Sequence, residues 1–122
     1  MATVALAWLG LVVHNIADLP DQTVLSPETA MPSLVWLLAL GAWAVPRTRT
    51  AGLWALLTWA IVNLVGGALS VLPLPMLPFA PEQTARHYAF HGLYAAAQVP
   101  VALVAAACVV RRRAPRRGFK DP

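Results

Sequence analysis

Residues 84–110 read TARHYAFHGLYAAAQVPVALVAAACVV, an apolar run whose one charged side chain, Arg86, lies near its start. A helix needs about 20 apolar residues to cross the hydrocarbon layer of a membrane. This stretch therefore predicts a membrane-spanning helix. The rest of the chain has the same character. Of its 122 residues, 59% are apolar and 11% are charged, whereas soluble domains carry roughly a quarter charged residues.

Three further apolar stretches predict three more spans. The four expected helices cover residues 2–19, 32–45, 51–72 and 84–110. The second is short because Pro32 and Pro46 bracket it, and proline is disfavoured inside a helix. The connections are short enough to make neighbouring helices antiparallel. The sequence thus predicts an all-α fold, an integral membrane four-helix antiparallel bundle over residues 1–110, followed by a basic cytoplasmic tail over residues 111–122.

The basic residues indicate how the bundle is oriented. Eight of the nine Lys and Arg residues lie between the second and third helices or after the fourth. Short cytoplasmic loops carry such an excess of positive charge. Both clusters fall on one side of a four-span arrangement, so we expect both termini in the cytoplasm. The arginine-rich composition is typical of a bacterial protein, which predicts a multi-pass protein of the inner membrane. We interpret the tail as a topology anchor beside anionic lipid headgroups, with no nucleic-acid partner.

Polar side chains at membrane depth are costly, so they normally face the bundle interior and are functional candidates. In this sequence they recur every three or four residues, the spacing of one helix face. The second helix has only Ser33, near its end. The predicted stripes are Gly10, His14 and Asp18 on the first helix, Asn63, Gly66 and Ser70 on the third, and His87, His91, Tyr94 and Gln98 on the fourth.

The depths of the histidines predict that they meet. At 1.5 Å per residue, His14 lies about 7 Å inside the outer end of the first helix, and His91 lies about 10 Å inside the outer end of the fourth. His87 is nearer the surface. All three histidines of the chain therefore fall in the outer half of the bundle. We expect a polar pocket that opens outward between the first, third and fourth helices.

The pocket chemistry suits a metal ion or a flat cofactor. Neutral imidazole is the commonest metal-ligating side chain, so His14, His87 and His91 are the predicted metal ligands, which would suit zinc or copper. Asp18 would ligate the ion or orient a histidine. The same histidines could hold a haem or hydrogen-bond a lipid-soluble cofactor. Asn63 is expected to support the site, with Tyr94 and Gln98 as its deeper wall. In the alternative interpretation, these groups only bond to one another and hold the helices together.

Two other functions fit the same sequence. One is a non-catalytic accessory subunit of a larger membrane complex, packed through the apolar second helix. The other is a small proton-coupled transporter formed by a homo-oligomer in the lipid bilayer. Enzymatic catalysis is not expected, because phosphate loops and nucleophile elbows are missing and the His87–His91 pair lacks the acid of H-E-x-x-H. Locally, Thr84 is predicted to cap the fourth helix, and Arg86 to pair with Glu82.

Overall fold

The structure, a computed structural model, describes residues 1–75 and 80–113. Within these ranges it is all-helical, with four α-helices and no strands, which confirms the predicted fold class at that level. Residues 114–122, which include most of the predicted basic tail, lie outside the described part. The helices are α1 (Ala2–Asp18), α2 (Pro27–Ala44), α3 (Arg49–Val62) and α4 (Ala85–Arg113), and α3 continues through a π-helical segment (Asn63–Ala68) into a 3-10 turn (Leu69–Val71).

The α4 helix lies at the centre of the packing, against both α1 and α3, and α2 packs mainly on α3. Residue pairs across each contact run in opposite directions along the two helices, so neighbouring helices are antiparallel. The shared core is formed by small and branched apolar side chains around two larger rings. It comprises Val4, Ala7, Leu11, Trp36, Ala39, Leu56, Ala60, Tyr94 and Val101.

The α2 helix begins five residues earlier than predicted, at Pro27, and contains Pro32. Proline lacks the N–H that would bond to the carbonyl four residues before it, which here belongs to Glu28. That carbonyl instead accepts a hydrogen bond of 2.8 Å from Asn15 Nδ2 of α1. A neighbouring helix thus replaces the missing donor. With 18 residues, α2 is about 27 Å long, so Pro32 does not shorten it.

The last turns of α3 depart from the predicted α-helical spacing. Asn63–Ala68 is π-helical, and its wider turn changes which residues face α4. Gly66 was predicted to lie on the inner stripe, but a Cβ there would meet nothing within 4 Å. A Cβ on Gly67 would lie 2.5 Å from Tyr94 Cε1. Gly67, rather than Gly66, is therefore the small residue at this contact.

A close crossing of α1 and α4 sets the position of the histidines. A Cβ on Gly10 would lie 2.5 Å from the Cβ of Ala97, so only glycine allows this approach. On one side of the crossing, Gln98 Nε2 donates a 3.0 Å hydrogen bond to the Ala7 carbonyl. On the other side, one turn further along α1, is His14. The crossing therefore places His14 beside α4.

Two helices are long and apolar enough to cross a membrane, namely Arg49–Val71 with 23 residues and Ala85–Arg113 with 29. Only 29% and 33% of their most apolar windows are buried within the chain. The shorter apolar helix Ala2–Asp18 has 17 residues. The four-span arrangement and the cytoplasmic position of the termini stay predictions.

Candidate metal centre

The three histidines come together where α1 ends and α4 begins, at what we call the histidine end of the molecule. The ring centroids of His14 and His91 are 4.4 Å apart, and those of His87 and His91 are 4.5 Å apart. The His14 and His87 centroids are 6.3 Å apart. All three side chains are buried. Residues from opposite ends of the described chain thus form one cluster.

Thr84 helps to place this cluster, as predicted. Its Oγ1 accepts a 3.3 Å hydrogen bond from the backbone N–H of His87. An N-terminal threonine that bonds three residues ahead is a helix cap. The cap fixes the first turn of α4, which carries His87, and the next turn carries His91.

The hydrogen bonds of Asn15 determine the tautomer of His14. Asn15 Nδ2 donates to the Glu28 carbonyl at 2.8 Å and to Thr29 Oγ1 at 3.0 Å, which orients the amide. Its Oδ1, which can only accept, then lies 2.9 Å from His14 Nδ1. His14 Nδ1 therefore carries the proton. In the neutral ring, the lone pair is on Nε2, which is buried and has no hydrogen-bond partner.

Asp18 is held by two neighbours on α4. His87 Nδ1 donates a hydrogen bond to Asp18 Oδ2, and Arg86 Nε lies 4.0 Å from Asp18 Oδ1. The Arg86 guanidinium also donates to the Ala17 carbonyl and lies 5.7 Å from the Phe90 ring centroid. The predicted partner of Arg86 was Glu82, and this was wrong. Asp18 lies one turn after His14, which brings its carboxylate into reach of the guanidinium.

A histidine and aspartate group in this cluster can hold a metal ion. One ligand atom each from His14, Asp18 and His91 lie within 4.8 Å of one another. In a tetrahedral zinc site, with bonds of about 2.1 Å, ligand atoms are about 3.4 Å apart. Small side-chain rotations would close the difference. The group includes Asp18, which was predicted as a ligand or an orienting residue. It does not include His87, which was predicted as a ligand and instead positions Asp18 through a hydrogen bond.

A cavity of about 450 Å³ lies against this group. Five of the predicted site residues line it, namely His14, Asp18, His87, His91 and Tyr94, and ligand binding by these residues stays a prediction. Its remaining walls come from α1, the start of α2, the end of α3 and the segment before α4. These residues are Leu11, Asn15, Leu19, Pro20, Glu28, Gly67, Ser70, Pro81 and Glu82. The expected pocket between α1, α3 and α4 therefore also includes α2.

The other two predicted site residues lie behind the cavity wall. Asn63 Oδ1 accepts a hydrogen bond from Tyr94 Oη, and Asn63 Nδ2 donates to the Trp59 carbonyl at 2.7 Å. Asn63 thus supports Tyr94, as expected of a supporting residue. Gln98 is fully buried but is not a lining residue. Its amide bonds to α1 one turn below the cavity.

Sequence reasoning missed the part that α2 plays. Thr29 is 1% exposed and is bonded to Asn15, although α2 was interpreted as apolar on all sides except at Ser33. One signal was present in the sequence. Pro32 comes four residues after Glu28, so a helix containing both has one carbonyl without a backbone donor. Such a carbonyl needs a polar side chain from a neighbouring helix.

The chain has no significant match to any of the protein-family models, curated proteins or solved structures with which it was compared.

Proposed function

We propose that this chain is a four-span membrane protein that binds one divalent transition-metal ion through His14, Asp18 and His91. The observation that carries the proposal is the buried, unpartnered Nε2 of His14, whose lone pair is available because Asn15 holds the proton on Nδ1. A buried acceptor without a partner is costly. An ion bound between His14, Asp18 and His91 would satisfy it.

Residence in a membrane is supported by where the apolar surface lies. The two membrane-capable helices are mostly unburied within the chain, whereas core helices of soluble proteins are mostly buried. In α2, Leu34, Leu37 and Leu38 are 48%, 65% and 64% exposed. Lipid would cover these surfaces. The excess of arginine at the end opposite the histidines supports cytoplasmic termini, and we propose the bacterial inner membrane as the location.

The ligand set favours a single ion. Two imidazoles and one carboxylate suit zinc, and copper also accepts nitrogen and oxygen ligands. A haem held by two axial histidines would need its ring between the imidazoles, and the 4.4 Å between the centroids of His14 and His91 leaves no such gap. The cavity leaves space beside the ion for a further ligand. This space could take a lipid-soluble cofactor, which stays an alternative ligand of the same histidines.

The alternative functions have less support. A proton-coupled transporter needs polar groups along the whole path, but beyond Gln98 the buried face of α4 continues with Val101, Ala105 and Val109. The exposed leucines of α2 would serve lipid or a partner protein equally well, so an accessory subunit stays a prediction.

Metal titration of the purified full-length protein tests the proposal. After treatment with a chelator, the protein in detergent is titrated with Zn²⁺ by calorimetry and with Co²⁺, whose visible absorption reports the coordination geometry. We expect one ion per chain. Loss of a ligand in His14→Ala should lower the affinity more than about 100-fold, because even residues that only orient ligands contribute roughly 10- to 100-fold.

Two further variants separate ligation from positioning. His87→Gln removes the residue that holds Asp18, and we expect a loss of about 10- to 100-fold. Glu82→Gln is the matched control, since Glu82 lines the same cavity but is not in the ligand group, and its affinity should be unchanged. The proposal fails if His14→Ala, with unchanged helicity by circular dichroism, binds Zn²⁺ as Glu82→Gln does. It also fails if the unaltered protein binds no ion.

A further inference from the structure

We propose that the opposite end of the bundle binds the phosphate group of an anionic phospholipid. At this arginine end, where α3 begins and α4 ends, there is a second cavity of about 350 Å³. It is separate from the metal centre and shares no residue with it. Its lining combines cations, a hydroxyl group, an indole and apolar side chains, which are Thr50, Leu53, Trp54, Val109, Arg112 and Arg113.

Different neighbours position the two guanidinium groups at this cavity. Arg112 donates a 3.2 Å hydrogen bond to Thr50 Oγ1. Arg113 lies 4.8 Å from the Trp54 ring centroid, a distance typical of a cation–π contact. Arginine binds phosphate through two parallel N–H groups. Because both side chains are already held in place, less conformational freedom is lost when a phosphate binds.

The positive charge at the arginine end is not compensated by a carboxylate within the part of the chain that the structure describes. Arg47, Arg49, Arg111, Arg112 and Arg113 lie here, and within the described residues none of them pairs with a carboxylate. The acidic residues of the described ranges lie at the histidine end, beside or between α1, α2 and α4. They are Asp18, Asp21, Glu28 and Glu82. An anion is therefore the group that this end lacks among the described residues.

The mixed lining favours a lipid over a free phosphate ion. Leu53 and Val109 are buried at 4% and 6% exposure and form the apolar part of the cavity, beneath the guanidinium groups. A phosphodiester attached to a hydrocarbon chain would contact both parts, whereas inorganic phosphate would contact only one. The inference rests on membrane insertion with this end in the cytoplasmic leaflet, which is rich in anionic lipid.

Lipid retention measured by native mass spectrometry tests the inference. The full-length protein in detergent is mixed with phosphatidylglycerol or phosphatidylcholine of identical acyl chains. We expect one phosphatidylglycerol to be retained in preference to phosphatidylcholine. The double variant Arg112→Gln/Arg113→Gln should lose this preference about tenfold or more, as expected for the loss of charge-assisted hydrogen bonds. Thr50→Val, which keeps every charge, should lose part of it.

The matched control is Arg47→Gln/Arg111→Gln, which removes two charges from the same end but outside the cavity lining. It should retain phosphatidylglycerol as the unaltered protein does. An equal loss in both double variants would show general attraction to a positive surface and would overturn the inference. Equal retention of the two lipids would overturn it as well. So would displacement of the lipid by millimolar inorganic phosphate, which would identify the site as one for a free anion. None of these results depends on zinc binding, so the lipid site and the metal site are tested independently.

Discussion

The two ends of the molecule differ in where their charged and polar side chains lie and in what holds them. At the histidine end, ionisable side chains are buried and held by hydrogen bonds, so that moving one side chain would displace its neighbours. At the arginine end, cations lie at the surface against tryptophan rings, with Arg113 over Trp54 at 4.8 Å and Arg49 over Trp43 at 5.8 Å. Polar groups in an apolar interior need hydrogen-bond partners from the protein, whereas charges at the surface are also solvated by water or lipid headgroups. A connected network should therefore be sensitive to single changes in a way that the arginine end is not.

The crossing of α1 and α4 provides the largest test of this comparison. In Gly10→Ala, the new methyl group would lie within 2.5 Å of Ala97 Cβ, so the helices must separate. We expect a loss of about 1–3 kcal/mol in the free energy of unfolding, as for other overpacked cores. His14 should move away from His91, and zinc affinity should fall. Unfolding in detergent, monitored by circular dichroism, measures the first effect.

Gly92→Ala is the control for this change. A Cβ on Gly92 would meet nothing within 4 Å, and alanine has the higher helix propensity. We expect this variant to be as stable as the unaltered protein or more so, by up to about 1 kcal/mol. The close crossing would not be needed for stability if the two variants behaved alike.

A coupling between α1 and α2 should be the next largest effect. Asn15→Leu leaves the Glu28 carbonyl without its donor, at a cost of about 1–3 kcal/mol. In a Pro32→Ala background, the restored backbone N–H can satisfy that carbonyl. The same substitution should then cost about 1 kcal/mol less. A double-mutant cycle of unfolding free energies measures the difference. An identical cost in the two backgrounds would mean that Pro32 has no part in positioning Asn15.

The smallest effect is expected at the arginine end. Trp54→Leu removes the ring beneath Arg113, and exposed cation–π contacts contribute about 0.5–1 kcal/mol. Stability should fall by no more than this, and zinc affinity should not change. The same unfolding and titration measurements apply. A large loss of zinc affinity would contradict the independence of the two ends.

The parts of the structure that were predictable from sequence depend on long, regular patterns. The apolar run of residues 84–110 predicts α4 because a run of this length is typical of a membrane-spanning helix and too long for a strand. The positions of the three histidines along antiparallel helices predicted that they lie at one end, and the structure brings them together there. Four helices are confirmed, whereas the membrane orientation stays a prediction.

The parts that were missed depend on single contacts between helices. Pro32 predicts a helix start when α2 is considered alone, and only the Asn15 side chain of α1 makes a longer helix acceptable. The pairing of Arg86 with Asp18 could not be predicted either. Glu82 lies four residues before Arg86, which is the usual spacing of an ion pair within one helix, whereas Asp18 is distant in sequence. Gly66 and Gly67 are adjacent residues of the same type, so the sequence alone does not distinguish them. Which of them faces Tyr94 depends on hydrogen bonding along the backbone of α3.

The π-helical segment Asn63–Ala68 amounts to one additional residue in an otherwise α-helical element. Converting this segment to ordinary α-helical bonding without removing a residue would rotate the residues after it by about 100°. Ser70 would then turn away from the cavity, even with every side chain of the histidine cluster intact. The orientation of Ser70 toward the cavity thus depends on the hydrogen-bonding pattern of this segment as well as on residue identity.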